Sequence, residues 1–385
     1  MSENAQKPRI RFKGFSDAWE QRKAKELFNS TADKGYPELP VLSATQDRGM
    51  IRRDENSINI FHDKKNESGY KRVLPGQFVI HLRSFQGGFA HSTLEGITSP
   101  AYTVFGFSEP EKHDSEYWKY VFTSKEFIRR LETVTYGIRD GRSISYDEFL
   151  TLDFVYPSKA EQTAIARYLD KLSDLITLHQ RKYDKLVAVK KALLEKMFPA
   201  DGETVPKIRF KGFSDAWEQR KAKELCNIGT GKSNTQDQVE DGIYPFYIRS
   251  DIPVKSNKYL YDCEAVITIG DGNIGRVFHY VNGKFDLHQR CYKMTDFQDI
   301  WGKYFYYFFS TRFYDRAMKM TAKATVDSVR LEMISEMDIW KPTAIDEQKK
   351  IAEFFASLDN LITLHQRQLE KLKNIKSALL EKMFV

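Results

Sequence analysis

Residues Pro8 to Leu27 read PRIRFKGFSDAWEQRKAKEL, and residues Pro206 to Leu225 read PKIRFKGFSDAWEQRKAKEL, so 19 of 20 positions agree at an offset of 198. A second pair closes each half: Glu161 to Phe198 and Glu347 to Phe384 agree at 22 of 38 positions, at an offset of 186. A chain that repeats both its opening and its closing segment is a tandem duplication, and each copy must fold as a comparable structural unit. The offsets differ because the intervening stretch has 133 residues in the first copy (28–160) and 121 in the second (226–346). These inserts share little beyond a Tyr/Phe-rich helical segment (Tyr117 to Arg130, Tyr304 to Arg316) and an apolar stretch ending at Pro157 and Pro342. A repeated frame around unlike contents presents two different surfaces from one support. With 385 residues, 41% of them hydrophobic and 14% aromatic, the chain has enough apolar material for two cores and is not a disordered polymer.

Neither 38-residue closing segment contains Pro or Gly, and both are rich in Leu, Lys, Glu and Ala, so each is expected to run as one helix of roughly 57 Å. Ser158-Lys-Ala-Glu161 reads as a capping box before the first, and Thr343-Ala-Ile-Asp346 plays the same part before the second. Apolar positions then recur in heptads. The first helix offers Leu169, Leu172, Ile176, Leu186, Leu193 and Met197, and the second Phe355, Leu358, Ile362, Leu369, Leu372, Leu379 and Met383. His179 and His365 fall on the same seam, next to the polar positions Lys190 and Lys376, and read as register-setting residues rather than metal ligands. Two such helices in one chain are expected to pair antiparallel with pseudo-twofold symmetry, as a spacer between the inserts. Their outer faces, with Lys171, Lys182, Lys185 and Lys191, would dock other subunits or stay solvated.

The formal net charge of +7 favours a polyanionic partner without identifying one, so the distribution of the basic residues matters more than their number. In the first insert Arg48, Arg52, Arg53, Lys64, Lys65 and Arg83 are interleaved with Tyr, Phe, Ser and Asn. Short β-rich stretches (Gln77 to Leu82, Tyr102 to Gly106) separate the loops. Tyr136-Gly-Ile-Arg-Asp-Gly-Arg-Ser143 places Arg139, Arg142 and Ser143 on one turn, a chemistry suited to phosphates and guanine edges. In the second insert the corresponding candidates are Lys232, Asn234, Arg249, Arg276, Gln289, Arg290, Lys323 and Arg330. Any one of these could simply be a solvated side chain; the clusters carry the reading.

Several motifs imitate catalytic or cofactor sites. Gly270 to Gly275 satisfies GxGxxG, but RVFHYV follows it as a strand, with no helix to receive a pyrophosphate. GTGKS at 229–233 lacks the first glycine of a phosphate loop, since Cys226 stands there. Among Cys263, His279, His288 and Cys291 only His288-x-x-Cys291 has ligand-like spacing, and no zinc or other metal site is expected. The three cysteines, Cys226, Cys263 and Cys291, are expected to stay reduced. Glu347-Gln-Lys349 with Asp338 resembles a nuclease set, but it opens a helix, where an acid is favoured anyway. No Asn/Asp-Pro-Pro-aromatic methyltransferase motif occurs, so no catalytic residue is assigned.

The repeated GFSDAWEQRKAKEL, PGQFVI, the G-x-R-x-G-R-S-I-S run and the twice-used EQ..IA…L..LI..HQR helix resemble the specificity subunit of type I restriction-modification systems, over the whole chain. The resemblance implies an α+β fold of two target-recognition domains joined by two long antiparallel coiled-coil helices, a pseudo-twofold tandem duplication. The division would be 1–157 for the first target-recognition domain, 158–205 for the central helix and linker, 206–343 for the second domain and 344–385 for the distal helix. It further implies sequence-specific binding of double-stranded DNA at a bipartite site with a fixed unread gap. Two methylation subunits and the restriction subunits would be the protein partners, supplying S-adenosylmethionine, ATP and Mg, with no cofactor on this chain. No apolar run has the roughly 18 residues that cross a bilayer, and the opening MSENAQKPRIRFKG has no apolar leader, so a cytoplasmic location is expected. The competing reading is a non-DNA assembly scaffold.

Overall fold

The computed structural model describes residues 8–56, 64–132, 135–136, 143–200, 202–321 and 328–384. It divides into two compact units, Met1–His179 with Gln368–Val385, and Gln180–Arg367. The two closing segments form continuous helices, a central one at Lys159–Met197 and a distal one at Ile345–Lys382. Each unit therefore contains one insert and a portion of both helices.

Within the first unit the frame strand Glu20–Lys23 pairs antiparallel with Asp153–Tyr156. A four-stranded antiparallel sheet runs in the order Phe28–Thr31, Thr103–Phe107, Phe78–Ile80, Ala90–His91. The helices Ser115–Phe122 and Lys125–Leu131 start on Asp114 and Ser124, whose side chains accept from Glu116 N and Phe127 N as N-caps. They share a core of Phe28, Phe78, Phe89, Phe105, Trp118, Phe122 and Phe149 with the sheet. Each fully buried ring of this kind contributes about 2–3 kcal/mol of hydrophobic burial.

The second unit repeats the frame and changes the contents. Trp217–Lys221 pairs antiparallel with Asp338–Pro342. Its sheet has six strands, in the order Asn227–Thr230, Cys291–Thr295, Tyr261–Ile269, Phe278–Leu287, Tyr244–Tyr247, Val254–Ser256. The pairing of Tyr244–Tyr247 with Phe278–Leu287 is parallel and the others are antiparallel. The helix Gly302–Thr321 lays Tyr304, Phe305, Phe308, Phe309 and Phe313 into the core.

The duplicated segments meet each other at one joint per unit. Arg11 donates through Nε and Nη2 to both oxygens of Glu161, at 2.7 Å each. Arg209 does the same to Glu347, at 2.7 and 2.8 Å. Both carboxylates are 1% exposed. The next residue completes the joint: Gln162 donates to Pro157 O and accepts from Asp114 N, while Gln348 donates to Pro342 O and accepts from Trp301 N. The capping role expected of Glu161 is thus replaced by an ion pair. The arginine that arrives 150 residues earlier in sequence offers a charged, bidentate partner, stronger than a backbone N–H.

Each unit also shows antiparallel packing of its two helix portions. In the first, the chain around Ile10 and Arg11 touches both Lys382 O and Glu161, while further along Lys376 Nζ donates to Ser173 Oγ at 2.8 Å; numbers fall on one helix as they rise on the other. In the second, Ile208 and Arg209 touch Lys196 O and Glu347, and Lys190 pairs with Asp359. The helix ends plug cores: Phe384 stacks on Tyr117 in the first unit, and Phe198 packs edge-on against Tyr304 in the second. Of the seam positions, Leu172 is buried. Ile176, His179, Leu186, Leu193, Leu358, Ile362, His365, Leu372 and Leu379 are half-buried.

Candidate nucleic-acid interface

Loops at the sheet edges carry most of the candidate residues. In the first unit Arg48 is exposed on a turn closed by Thr45, whose hydroxyl donates to Gly49 O and accepts from Arg48 N. Arg83 is exposed at the start of the turn Ser84–Gly87. The amide of Gln46 donates to Gln86 Oε1 at 3.0 Å and ties these two turns together. The second turn also lies beside the short strand Ser143–Ile144. Arg48 and Arg83 therefore converge beside the strand Ser143–Ile144. Arg139 and Arg142 fall outside the described residues, as does Lys323. Arg52 is exposed at the end of the strand Met50–Arg52; Arg53 is half-buried, and its Nε and Nη1 are buried without a hydrogen-bond partner among the described residues. Lys64 and Lys65 are exposed on a separate 3-10 turn, Lys64–Gly69.

Beneath Arg83 lies His81, whose Nδ1 accepts from Arg83 N. Burial, with Arg83 adding repulsion, pushes its pKa down to about 4, so the ring is neutral at pH 7.

The second unit assembles its candidates more tightly. Asp271 accepts from Arg249 Nη1 at 3.0 Å on one oxygen and from Arg290 Nη1 at 2.9 Å on the other. Partial burial raises the pKa of this carboxyl, but the hydrogen bonds from Arg290 and Arg249 outweigh it and hold the carboxyl below its ordinary value. Arg290 N donates to His288 Nδ1, and Gln289 Nε2 donates to Asn234 Oδ1 at 2.5 Å. Lys232 and Ser233 donate their N–H groups to Leu287 O, and the Ser233 hydroxyl donates to the fully buried Asp286. Lys232, Asn234, Arg249, Gln289 and Arg290 thereby come from three loops onto one exposed patch. Val329 N donates to Gly270 O, which places Arg330 beside the same loop, where its side chain pairs with Glu332. Arg276 is engaged by the helix Gly302–Thr321: its guanidinium lies 4.5 Å from the Tyr314 ring centroid, and its Nη2 donates to the Tyr314 hydroxyl at 2.7 Å.

The two glycine-rich motifs have a packing explanation. A Cβ at Gly231 would lie 2.2 Å from Leu287 O, and one at Gly270 would lie 2.6 Å from Arg290 O. These residues let neighbouring backbones approach; the first motif runs into a single 3-10 turn, Thr235–Asp237, and the second into the strand Phe278–Leu287, so neither opens an α-helix. His279 meets Ser250 O, and His288 meets Thr235 Oγ1. Asp271, Gln46, Gln86 and the Ser233–Asp286 pair escaped sequence reading; the Asp flanked by glycines at 270–272 was the one available hint.

Residues 214–374 match the family model described as the type I restriction modification DNA specificity domain. A type I restriction enzyme EcoDI specificity subunit from Escherichia coli is 30% identical over 76 residues, 20% of this chain, and the match spans 17% of that relative's length. A solved structure of the type I restriction-modification system S subunit from M. genitalium superposes with a TM-score of 0.62 at 15% identity, covering 98% of this chain and 99% of that one. A structure from a study of complex assembly in a type I R-M system gives a TM-score of 0.50 at 14% identity, covering 95% and 97%. At these identities the superpositions establish the fold. No helix among the described residues is long and apolar enough to cross a membrane.

Proposed function

We propose that this chain, whose residues 214–374 match the type I restriction modification DNA specificity domain, is the non-catalytic, DNA-reading subunit of a type I restriction-modification enzyme. Each insert reads one half of a bipartite site, and the paired helices fix the unread gap between the halves. The observation that carries this is the duplicated joint, Arg11–Glu161–Gln162 and Arg209–Glu347–Gln348, which holds two unlike sheets by the same contacts. A frame kept constant while the loops vary fits a protein whose geometry must stay fixed and whose sequence readout must not.

Energetically, a bipartite reader gains by adding modest terms. One good base contact discriminates by roughly 1–3 kcal/mol, and tethering makes the second half-site an intramolecular encounter. Two methylation subunits supply S-adenosylmethionine and the adenine chemistry, and restriction subunits supply ATP- and Mg-dependent work; this chain binds none of these cofactors and acts in the cytoplasm. The helices offer surfaces for such partners. Leu175 and Leu178 stand 43% and 45% exposed in the first unit, and their repeats Leu361 and Leu364 stand 44% and 49% exposed in the second. Apolar side chains left in water at duplicated positions suit two copies of one partner.

The test is sequencing-based mapping of N6-methyladenine in cells expressing this chain with its methylation subunits. One bipartite motif with a fixed gap, lost when the chain is omitted, is the expected result. An active methylation partner that writes no chain-dependent motif overturns the proposal in favour of an assembly scaffold.

A further inference from the structure

Asp271 spends both its oxygens on two guanidinium groups and leaves both guanidinium groups exposed. Arg249 and Arg290 each give it one Nη1, and their side chains remain 45% and 61% exposed while the carboxylate is only 22% exposed. Among the described residues, no other hydrogen bond engages their Nη2 or Nε atoms. The backbone beneath is fixed from several directions: Gly270 N donates to Arg290 O, Arg290 N to His288 Nδ1, and Val329 N to Gly270 O. Two long side chains that ordinarily sample many rotamers are thus held by a common anchor on a rigid loop platform.

We infer that this Asp271-anchored pair is the base-reading element of the second unit, and that Arg290 or Arg249 reads a guanine in that unit's half-site. The inference rests on the DNA-reading function proposed above. A positioned arginine fork matches the O6 and N7 acceptors of guanine in the major groove, which is the geometry an immobilised guanidinium serves best. A phosphate-holding arginine has no use for this anchor: the carboxylate would repel the phosphate and cancel part of the charge that binds it. Nor does Asp271 read cytosine itself, because both its acceptor oxygens already face arginines. The exposed amide pair Gln289 and Asn234 borders Arg290 in sequence and space, so the fork emerges among groups able to meet base edges.

The experiment maps N6-methyladenine for complexes of the full chain with its methylation subunits, using wild type, Arg290→Ala, Arg249→Ala, Arg290→Lys and Asp271→Asn. The expected result is relaxed discrimination at a single guanine of one half-site in at least one arginine-to-alanine variant. Methylation of the cognate site falls roughly 5- to 150-fold relative to sites altered at that base. The other half-site and the gap stay unchanged. Arg290→Lys fails to restore guanine preference if Arg290 is the reader, and Asp271→Asn weakens preference at the same position. A uniform loss over all sequences marks phosphate contacts and overturns the inference, as does a whole half-site that blurs together with a lowered Tm, which marks a loop lock. A wild-type motif that neither alanine variant moves sinks this inference alone. A wild-type complex with no chain-dependent motif removes the parent function, and this reading with it.

Discussion

The two units solve the same mechanical problem with different sheets. The first buries a cluster of interlocked rings under a four-stranded sheet of short strands; the second spans six strands, two of them nine and ten residues long, covered by one 20-residue helix. What they share is the place where polar groups are forced inside: Glu161 and Glu347 at 1% exposure, and Gln162 and Gln348 at zero. Apolar packing tolerates many solutions of similar volume, whereas a buried carboxylate demands one partner in one geometry. Duplication has therefore preserved the joint and let the cores diverge.

The largest effect should come from breaking that joint. Arg11→Met strands Glu161 without its cation, at a cost of about 3–5 kcal/mol, and Arg209→Met does the same to Glu347. Native-state hydrogen exchange should show the loss confined to the substituted unit and equal in the two variants within about 1 kcal/mol. The double variant Arg11→Met, Glu161→Leu should recover most of it, because an apolar pair carries no unpaired charge. A strongly unequal pair of costs would mean that the surrounding sheet, and not the shared joint, sets the geometry.

That joint also marks what a linear reading can see. The helices were legible because their signals are local: no Pro or Gly, apolar residues at heptad spacing, and an acid in the first turn. The β-rich stretch at 102–106 corresponds to the strand Thr103–Phe107, and that at 77–82 contains the shorter strand Phe78–Ile80. The partner of Glu161 was not legible, since the pattern Ser158 to Glu161 satisfies a local rule while Arg11 acts from 150 residues away. The same holds at the interface. Arginines were readable as candidates by type, but Asp271 became meaningful only when folding brought residues 22 and 19 positions away onto its two oxygens.

A second contrast is in acid. His81 in the first unit has its pKa pushed down to about 4 by burial and by Arg83, and its Nε2 is buried without a partner among the described residues. His279 in the second unit is also lowered by burial, but its hydrogen bond to Ser250 O opposes the shift. The unfolded imidazole takes its proton near pH 6.5 and the folded His81 only near 4. This contribution to stability is therefore complete above 6.5, shrinks as pH falls, and is gone below about 4. It amounts to at most about 3 kcal/mol. Urea unfolding followed by hydrogen exchange at pH 7 and pH 4.5 should show the first unit losing more stability than the second, and His81→Gln should narrow the difference. Equal losses with and without His81 would assign acid sensitivity to the carboxylates instead.

The smallest predicted effect is the sharpest test of how far duplication constrains detail. Lys190 and Lys376 occupy repeated positions, and each Nζ lies 5.5 Å from a tyrosine ring centroid, Tyr307 and Tyr120 respectively. In the second unit Lys190 faces Asp359, which also accepts from the Tyr307 hydroxyl. In the first unit the position repeating Asp359 is Ser173, and the nearby acid, Asp170, is taken by Lys119 and Tyr120. Burial and the charge of Lys119 accordingly lower the pKa of Lys376. Lys190→Met should destabilise the second unit by up to about 1 kcal/mol, the scale of a partly exposed ion pair. Lys376→Met should be neutral or slightly stabilising in the first, because it removes a desolvated charge that, among the described residues, is met by a hydroxyl and a ring face and by no carboxylate of its own. Opposite signs, measured as shifts in denaturant midpoint at unchanged slope, would show that one substitution, aspartate to serine, has turned an ion pair into a bare register lysine; equal signs would mean that the ring contact common to both dominates.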